Sequence, residues 1–309
     1  MALTAVFFGT PEFAVPSLSR LLDSGVGVPL VVSQPDRPVG RHSVPAPSAV
    51  ARLAAVRGIP TEKPPRLAGN TEFAQTLAKA TPDVGVVVAY GRILPAAILA
   101  VPRLGFVNVH ASLLPRHRGA SPVQAALLAG DEETGVVTMK VVQELDAGPI
   151  YLERRISVAK GERAGELSTR LASAGADLLV ETLRGLEKGT LSSRPQEGTP
   201  TFCRPIRRED GRVDWTLSPS EIERRLQAYD PWPGLHTFLD EERVKILGLE
   251  LGPRAQRPPG TLWLEGEKAL VAAGGGESLS LTRVQRAGRQ PIGGVEFVRG
   301  LRSEPARFS

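Results

Sequence analysis

Val84-Gly85-Val86-Val87-Val88-Ala89 and Phe106-Val107-Asn108-Val109-His110 are short runs of mostly apolar, largely β-branched residues without sustained polar alternation. A strand with one solvated face alternates apolar and polar residues, so runs of this kind mark strands covered on both faces. Ala5–Phe8 and Val28–Ser33 read the same way. Between these runs, Phe13–Leu22, Ser48–Arg57 and Thr71–Lys79 space their apolar residues as helices do. The alternation predicts an α/β fold: a Rossmann-like, mostly parallel sheet with helices on both faces.

Two more strand-like runs, Val136–Val142 and Ile150–Ile156, flank a turn holding Asp146, Gly148 and Pro149, which predicts a hairpin. A long helix is expected from Ala164 to about Lys188, after which Gly189 to Gly211 is rich in Pro, Gly, Thr and Arg and lacks periodicity. With 309 residues the chain exceeds what one hydrophobic core usually supports. The reading is therefore a catalytic domain over 1–189, a linker over 190–211 with the boundary near Arg204, and a second domain over 212–309. In that last part Ser218-Pro-Ser-Glu opens a helix, and strand-like runs recur at Leu235–Leu239, Val244–Leu249, Gly260–Glu265, Lys268–Ala272 and Ser278–Val284. Several short strands punctuated by Gly and Pro predict a small, OB-like β-barrel.

Composition removes several classes. Apolar and charged fractions of 41% and 23% are those of a globular protein. The first residues lack a basic region ahead of an apolar stretch, and no apolar run reaches membrane-spanning length, so neither export nor a membrane location is expected. Cys203 is the one cysteine, which rules out an internal disulfide and argues against a cysteine-based zinc site; no metal is expected, and a reducing cytoplasm is. The net charge of +5 is spread along the chain, with a local excess where Arg283, Arg286 and Arg289 open a basic stripe toward the C-terminus, compatible with phosphate contacts or with a solvated surface. After the first strand stands Gly9-Thr10-Pro11 rather than a G-x-G-x-x-G loop, and no P-loop, H-E-x-x-H or G-x-S-x-G follows.

Ligands of open α/β sheets bind beyond the carboxyl ends of the strands, which directs attention to Asn108-Val-His110-Ala-Ser-Leu-Leu-Pro115-Arg-His-Arg-Gly119. Strand alternation puts Asn108 and His110 on one face, with Cα atoms roughly 6.5–7 Å apart. A carboxamide can donate to a developing oxyanion, and an imidazole can give or take a proton, so the pair suits acyl-type transfer. Asp146, in its turn, would favour the charged imidazole or order a water.

The run from Asn108 to Gly119 resembles the N-[VI]-H-x-S-L-L-P-x-x-x-G signature of the folate-dependent formyltransferases. The resemblance implies a catalytic trio of Asn108, His110 and Asp146, folate contacts from Ser112, Leu113, Leu114 and Pro115, and 10-formyltetrahydrofolate as formyl donor. Phe8-Gly-Thr-Pro-Glu-Phe13, Gln34-Pro-Asp-Arg-Pro-Val-Gly-Arg41, Val88-Ala-Tyr-Gly91 and Pro231-Trp-Pro-Gly234 are similar to segments of the methionyl-tRNA formyltransferase branch of that family. That branch implies a monomer whose partner is initiator methionyl-tRNA, held by Arg41 in a loop after the second strand and by the C-terminal barrel, where Arg283, Arg286 and Arg289 are candidates. The chain departs from the pattern in following Arg41 with His42-Ser43-Val44 instead of lysines, in Ala111 for a frequent glycine, and in Pro149 for a frequent aspartate. The competing readings are a formyltransferase acting on an amino sugar nucleotide, a noncatalytic RNA-binding protein on the same scaffold, and, from the core fold alone, a nicotinamide dehydrogenase.

Overall fold

The computed structural model describes residues 3–39, 44–301 and 306–309. The chain divides into two units, the first spanning Met1–Pro122, Glu132–Val158 and Ser168–Arg204, the second Val123–Asp131, Ala159–Leu167 and Pro205–Ser309. The stretch expected as a linker thus divides between the first unit, up to Arg204, and the second, from Pro205.

The first unit begins with β1 (Thr4–Gly9), α1 (Val15–Asp23) and β2 (Gly27–Val32), followed by a short hairpin of β3 (Arg37–Val39) and β4 (Val44–Ala46). Then come α2 (Ala49–Val56), β5 (Thr61–Glu62), α3 (Thr71–Lys79), β6 (Val84–Val88), α4 (Ala96–Leu99), β7 (Phe106–His110) and β8 (Arg118–Gly119). The helix α5 (Pro122–Ala129) lies almost entirely in the second unit; β9 (Glu133–Lys140) and β10 (Ile150–Ser157) return to the first, as does most of α6 (Ala164–Glu187), and β11 (Phe202–Cys203) closes it. Side chains fix where the helices start: Ser48 and Asn70 cap α2 and α3 by accepting from the amides of Ala51 and Phe73.

The sheet runs β10-β9-β7-β6-β1-β2-β5. Its central and β5-side pairs are parallel, whereas β9 lies antiparallel to both β7 and β10. The chain places β2 and β5 on one side of β1 and then returns to lay β6 and β7 on the other, so the order reverses between β1 and β6. The crevice at such a reversal is where α/β sheets take ligands. One face of the sheet carries an apolar cluster in which the Phe8 ring meets Phe73, Tyr90 and Phe106 edge-on at 6.3, 5.3 and 5.5 Å. Rings at these distances and angles add to the value of their buried area. On the other face, Thr138 of β9 and Thr182 of α6 share a buried hydroxyl hydrogen bond of 2.7 Å. Thr138 pairs with Val109 of β7, so Val109 looks toward α6 while Asn108 and His110 look away from it.

The second unit holds α7 (Pro219–Ala228), with a capping box between Ser218 and Glu221, and the strands β12 (His236–Leu239), β13 (Glu242–Leu251), β14 (Thr261–Glu265), β15 (Lys268–Ala273), β16 (Glu277–Arg286), β17 (Ile292–Gly293) and β18 (Ala306–Arg307), with α8 (Gly294–Arg299) between the last two. The sheet order is β12-β13-β16-β15-β14-β18, and an antiparallel bridge from Leu239 to Phe308 joins its two ends into a barrel. Phe238 and Ser309 exchange backbone hydrogen bonds at that seam. Trp215 stacks on Phe308 at 5.6 Å beside it.

Candidate active site

β7 carries the site because it lies between parallel β6 and antiparallel β9 and ends at the sheet's carboxyl edge. Met139 and Val137 of β9 stand directly opposite Asn108 and His110 and share their face; with Leu114 and Ile150 they form an apolar cluster beneath the loop that follows β7. Asn108 is half-buried, and its carboxamide has no hydrogen-bond partner among the described residues. His110 is buried.

The imidazole of His110 is held at one nitrogen and faces a carboxylate with the other. Its Nε2 lies 3.0 Å from the carbonyl oxygen of His117. A carbonyl only accepts, so Nε2 carries the hydrogen, and the lone pair of the neutral ring sits on Nδ1. That Nδ1 faces Asp146, with Oδ2 3.7 Å away: too far for a direct hydrogen bond, near enough for charge pairing once the ring is protonated. The site can therefore take up and release a proton at Nδ1 beside a carboxylate, with an unengaged amide two residues back on the same strand.

Asp146 reaches this position through an unusual backbone. Its φ is +48°, in the left-handed region that non-glycine residues seldom occupy. Its Oδ2 accepts the Gly119 amide at 2.8 Å. Gly119 itself has φ of +123°, and a Cβ there would run into the Cys203 carbonyl oxygen, so the signature's last residue must be glycine for β8 and β11 to pair. Gly148 has the same steric reason: a Cβ would strike the carbonyl oxygen of Lys140.

The loop between Asn108 and Gly119 is tied down by its own side chains and by residues 196–203. Ser112 is fully buried and donates its hydroxyl to the Arg116 carbonyl at 2.6 Å. Leu114 is buried in the apolar cluster, Pro115 is buried and accepts from the Thr201 amide through its carbonyl, and Leu113 is half-buried. Thr201 Oγ1 accepts the His117 amide at 2.8 Å. Gln196 accepts from Arg118 and donates to the carbonyls of Asp146 and Gly148. Gln196, Thr201 and Arg118 were not among the residues expected at the site. Arg118 had a signal in its place within the signature; Gln196 had none, since its partners lie about 50 and 80 residues away in sequence. Burial raises the Cys203 thiol, and the charge of Asp146 adds to this, so it stays protonated at neutral pH.

Around the crevice between β1 and β6, Gln34 donates to the Tyr90 carbonyl at 2.7 Å, and Thr10 Oγ1 donates to the same oxygen at 3.3 Å. The Tyr90 hydroxyl is buried without a partner among the described residues. These residues belong to the Gly9-Thr-Pro, Gln34-Pro and Ala89-Tyr-Gly segments at the ends of β1, β2 and β6. Among the described residues no cluster of His, Cys, Asp and Glu could hold a metal ion.

The basic residues expected to meet RNA fall apart into separate groups. Arg41 lies outside the described residues. Arg283 is exposed on the outer face of the barrel, but Arg286, three residues on in the same strand, is on the other face, where it forks onto Glu242. Arg289 is exposed in the turn beyond β16. The outer face instead joins Arg283 to Lys245 and Arg243 of β13 and to His236 and Phe238 of β12, which stand opposite Lys245 and Arg243. The Arg212 guanidinium lies over the Phe238 ring at 5.4 Å. None of Arg212, Arg243, Lys245 and Arg283 has an ion-pair partner among the described residues, and Arg243 Nε is buried without an acceptor. Burial pushes the His236 imidazole below its usual range, and the charges of Arg243, Arg208 and Arg212 add to the effect.

An imidazole facing a carboxylate, with an unengaged amide two residues back, stands at the edge of a Rossmann-like sheet in a chain that continues into a barrel, and comparison with known families shows that the chain is a formyl transferase. The formyl transferase family model matches residues 3–183, and that of the formyl transferase C-terminal domain matches residues 205–302. A methionyl-tRNA formyltransferase of Geobacter metallireducens is 38% identical over 98% of this chain and 97% of its own length, and one of Roseiflexus castenholzii is 43% identical over the same shares. The chain belongs to the methionyl-tRNA formyltransferase family. The fold is also that of HypX from Aquifex aeolicus solved with tetrahydrofolic acid (TM-score 0.65, 17% identity, 97% of this chain and 48% of that one). An N-formyltransferase from Helicobacter canadensis, solved with folinic acid and dTDP-3-aminofucose, has a TM-score of 0.65 at 16% identity over 93% of this chain and all of that one.

Proposed function

We propose that this member of the methionyl-tRNA formyltransferases takes its formyl group from 10-formyltetrahydrofolate and delivers it to the α-amino group of methionine on initiator tRNA, at a centre formed by Asn108, His110 and Asp146. The observation that carries the catalytic assignment is the tether of His110 Nε2 to the His117 carbonyl, which leaves one exchangeable nitrogen, Nδ1, facing Asp146.

The attacking α-amine titrates near about 7.7–8.0, so a useful neutral fraction exists at cellular pH without a strong base. Attack on the formyl carbon forms a C–N bond and a tetrahedral oxyanion. Asn108 donates its amide N–H to that oxyanion, and protonated His110, stabilised by Asp146, adds positive charge beside it. Collapse breaks the bond between the formyl carbon and the folate nitrogen. The proton lost by the amine reaches that nitrogen through the His110–Asp146 pair, which starts the next cycle unchanged. The folate is held in the crevice between β1 and β6 and against the loop from Ser112 to Pro115. Since the side chains of Ser112, Leu114 and Pro115 are buried, their part is to shape that loop.

The tRNA meets phosphate-binding groups on the outer face of the barrel, with Arg283 joined by Lys245, Arg243 and Arg212, and meets Arg41 near the acceptor end. Arg286 is held by Glu242 and contributes little. A cytoplasmic monomer is part of the same proposal, as the family resemblance implies. Formyl transfer from 10-formyltetrahydrofolate to charged initiator tRNA, charged elongator methionyl-tRNA and a nucleotide-linked amino sugar tests the reading. Activity on initiator tRNA alone is expected; activity on the sugar alone would replace the substrate and keep the chemistry.

A further inference from the structure

Asp146 is the member of the trio whose backbone needs the most help. Its left-handed φ of +48° is one an aspartate adopts more readily than most residues but still at a cost, so contacts that hold the turn favour it. The Gly119 amide holds only the carboxylate. The backbone of the turn is held by a different residue, Gln196, which approaches from the irregular stretch after α6.

The Gln196 amide is used in full. Its Nε2 donates to the carbonyl oxygens of Asp146 and Gly148, each at 2.8 Å, and so spans the turn from both ends. Its Oε1 accepts from Arg118 Nε at 3.1 Å and Nη2 at 2.8 Å, a forked arrangement that fixes the plane of the amide. Arg118 is buried, its Nη1 also approaches Glu144 at 3.5 Å, and it immediately precedes the Gly119 whose amide binds the Asp146 carboxylate. The result is a closed ring: Asp146 carboxylate, Gly119, Arg118, Gln196, Asp146 carbonyl. Only a side-chain amide offers two N–H donors on one nitrogen and an acceptor beside it, so neither a charged nor an apolar residue could close this ring. Gln196 touches neither His110 nor Asn108 through any of these bonds.

We propose that Gln196, oriented by Arg118, is a positioning residue for formyl transfer: it locks the left-handed turn that aims the Asp146 carboxylate at His110 Nδ1. This rests on the catalytic role assigned above to Asp146. It predicts that removing the lock lowers turnover without weakening the binding of either substrate, because the reacting geometry is disturbed while the binding surfaces stay.

The test is a kinetic cycle. Gln196→Glu retains an acceptor for Arg118, which preserves the fold, but removes both N–H donors and sets a carboxylate against two carbonyls; Gln196→Leu removes every polar interaction. Each variant is assayed for kcat and for its KM toward the formyl-folate donor and toward methionyl-tRNA, alone and combined with Asp146→Asn, with thermal unfolding as a control. The expected result is a kcat reduction of about 10- to 100-fold for each single variant, the scale set by misplacing a catalytic group by about 1 Å, with both KM values nearly unchanged. In the Asp146→Asn background, either change at Gln196 should then cost almost nothing further, since residues acting through one group are strongly non-additive. Undiminished kcat in Gln196→Glu, or reductions that multiply with that of Asp146→Asn, would overturn the positioning role. Full activity of Asp146→Asn by itself would remove the trio assignment, and the role of Gln196 with it.

Discussion

Asn108→Ala isolates one step of the chemistry from the fold that supports it. The side chain is half-buried and bonded to no described residue, so its removal breaks no described hydrogen bond and opens no closed cavity. Its neighbours across the sheet, Val87 on β6 and Met139 on β9, keep their ladder bonds because those are made by the backbone. The stability cost should stay within about 0.5–1 kcal/mol, or a few degrees at most in Tm for a chain of this size. The catalytic cost should be much larger. An amide aimed at a developing oxyanion in a water-poor site is worth about 100- to 1,000-fold in turnover, equivalent to about 2.7–4 kcal/mol on the barrier. The assay is steady-state and single-turnover formyl transfer onto charged initiator tRNA, with calorimetric or fluorescence melting of the same preparation. Near-normal turnover in a folded Asn108→Ala protein would refute the oxyanion role, as would a reduction wholly explained by unfolding.

Gly119→Ala should both destabilise the first unit by about 1–3 kcal/mol, through overlap with the Cys203 carbonyl, and abolish most activity by displacing the amide that holds Asp146; thermal melts and turnover read the two effects separately. Arg283→Ala together with Lys245→Ala should raise the KM for tRNA and reduce the salt dependence of binding by roughly 0.7–0.9 in log–log slope for each phosphate no longer neutralised, whereas Arg286→Ala should leave both almost unchanged. Asp83 is held below its usual carboxylate range, first by the Thr4 amide and then by Arg103. A depressed carboxylate stabilises the fold at pH above its unfolded value of about 3.9 and forfeits that contribution as pH falls through the lower folded value. Asp83→Asn should therefore narrow its stability difference from the wild type below about pH 4, as read from urea midpoints across pH.

The sheet of the first unit was legible because burial on both faces writes itself as uninterrupted apolar runs: Phe106–His110 was read with its observed limits, and Thr71–Lys79 was marked by helical spacing. The pairing of β8 with β11 was not, since two residues on each side carry no period and depend on a glycine and a carbonyl more than 80 residues apart. The α5 helix escaped because its Val, Ala and Leu residues leave little contrast between faces. Asn108, His110 and Asp146 could be named from the chain, but not the left-handed turn of Asp146 or its support by Gln196, which exist only after β9 and β10 have folded back. The basic stripe shows what spacing along the chain leaves out. Arg283 and Arg286 are near in sequence, yet β16 extends to Arg286, and the two-residue period of a strand sends them to different faces.

The threading of residues 194–203 back across the first unit has a practical consequence for anyone isolating the catalytic half. Arg194 bridges to Ile150, Gln196 holds the Asp146 turn, Thr201 binds the His117 amide, and Cys203 pairs beside Gly119. A fragment cut at Gly189, where α6 and its turn end, would keep the complete seven-stranded sheet and all three trio residues, yet lack these ties on the reactive loop. Its sheet would keep its strand pairing, while the reactive loop would lose its order and Val123–Asp131 and Ala159–Leu167 would lose the unit they belong to. A fragment ending at Arg204 would retain the ties, so adding the synthetic peptide 190–204 to the shorter piece should restore order to the reactive loop in trans, much as a missing strand restores a split reporter, while use of tRNA would still need the barrel.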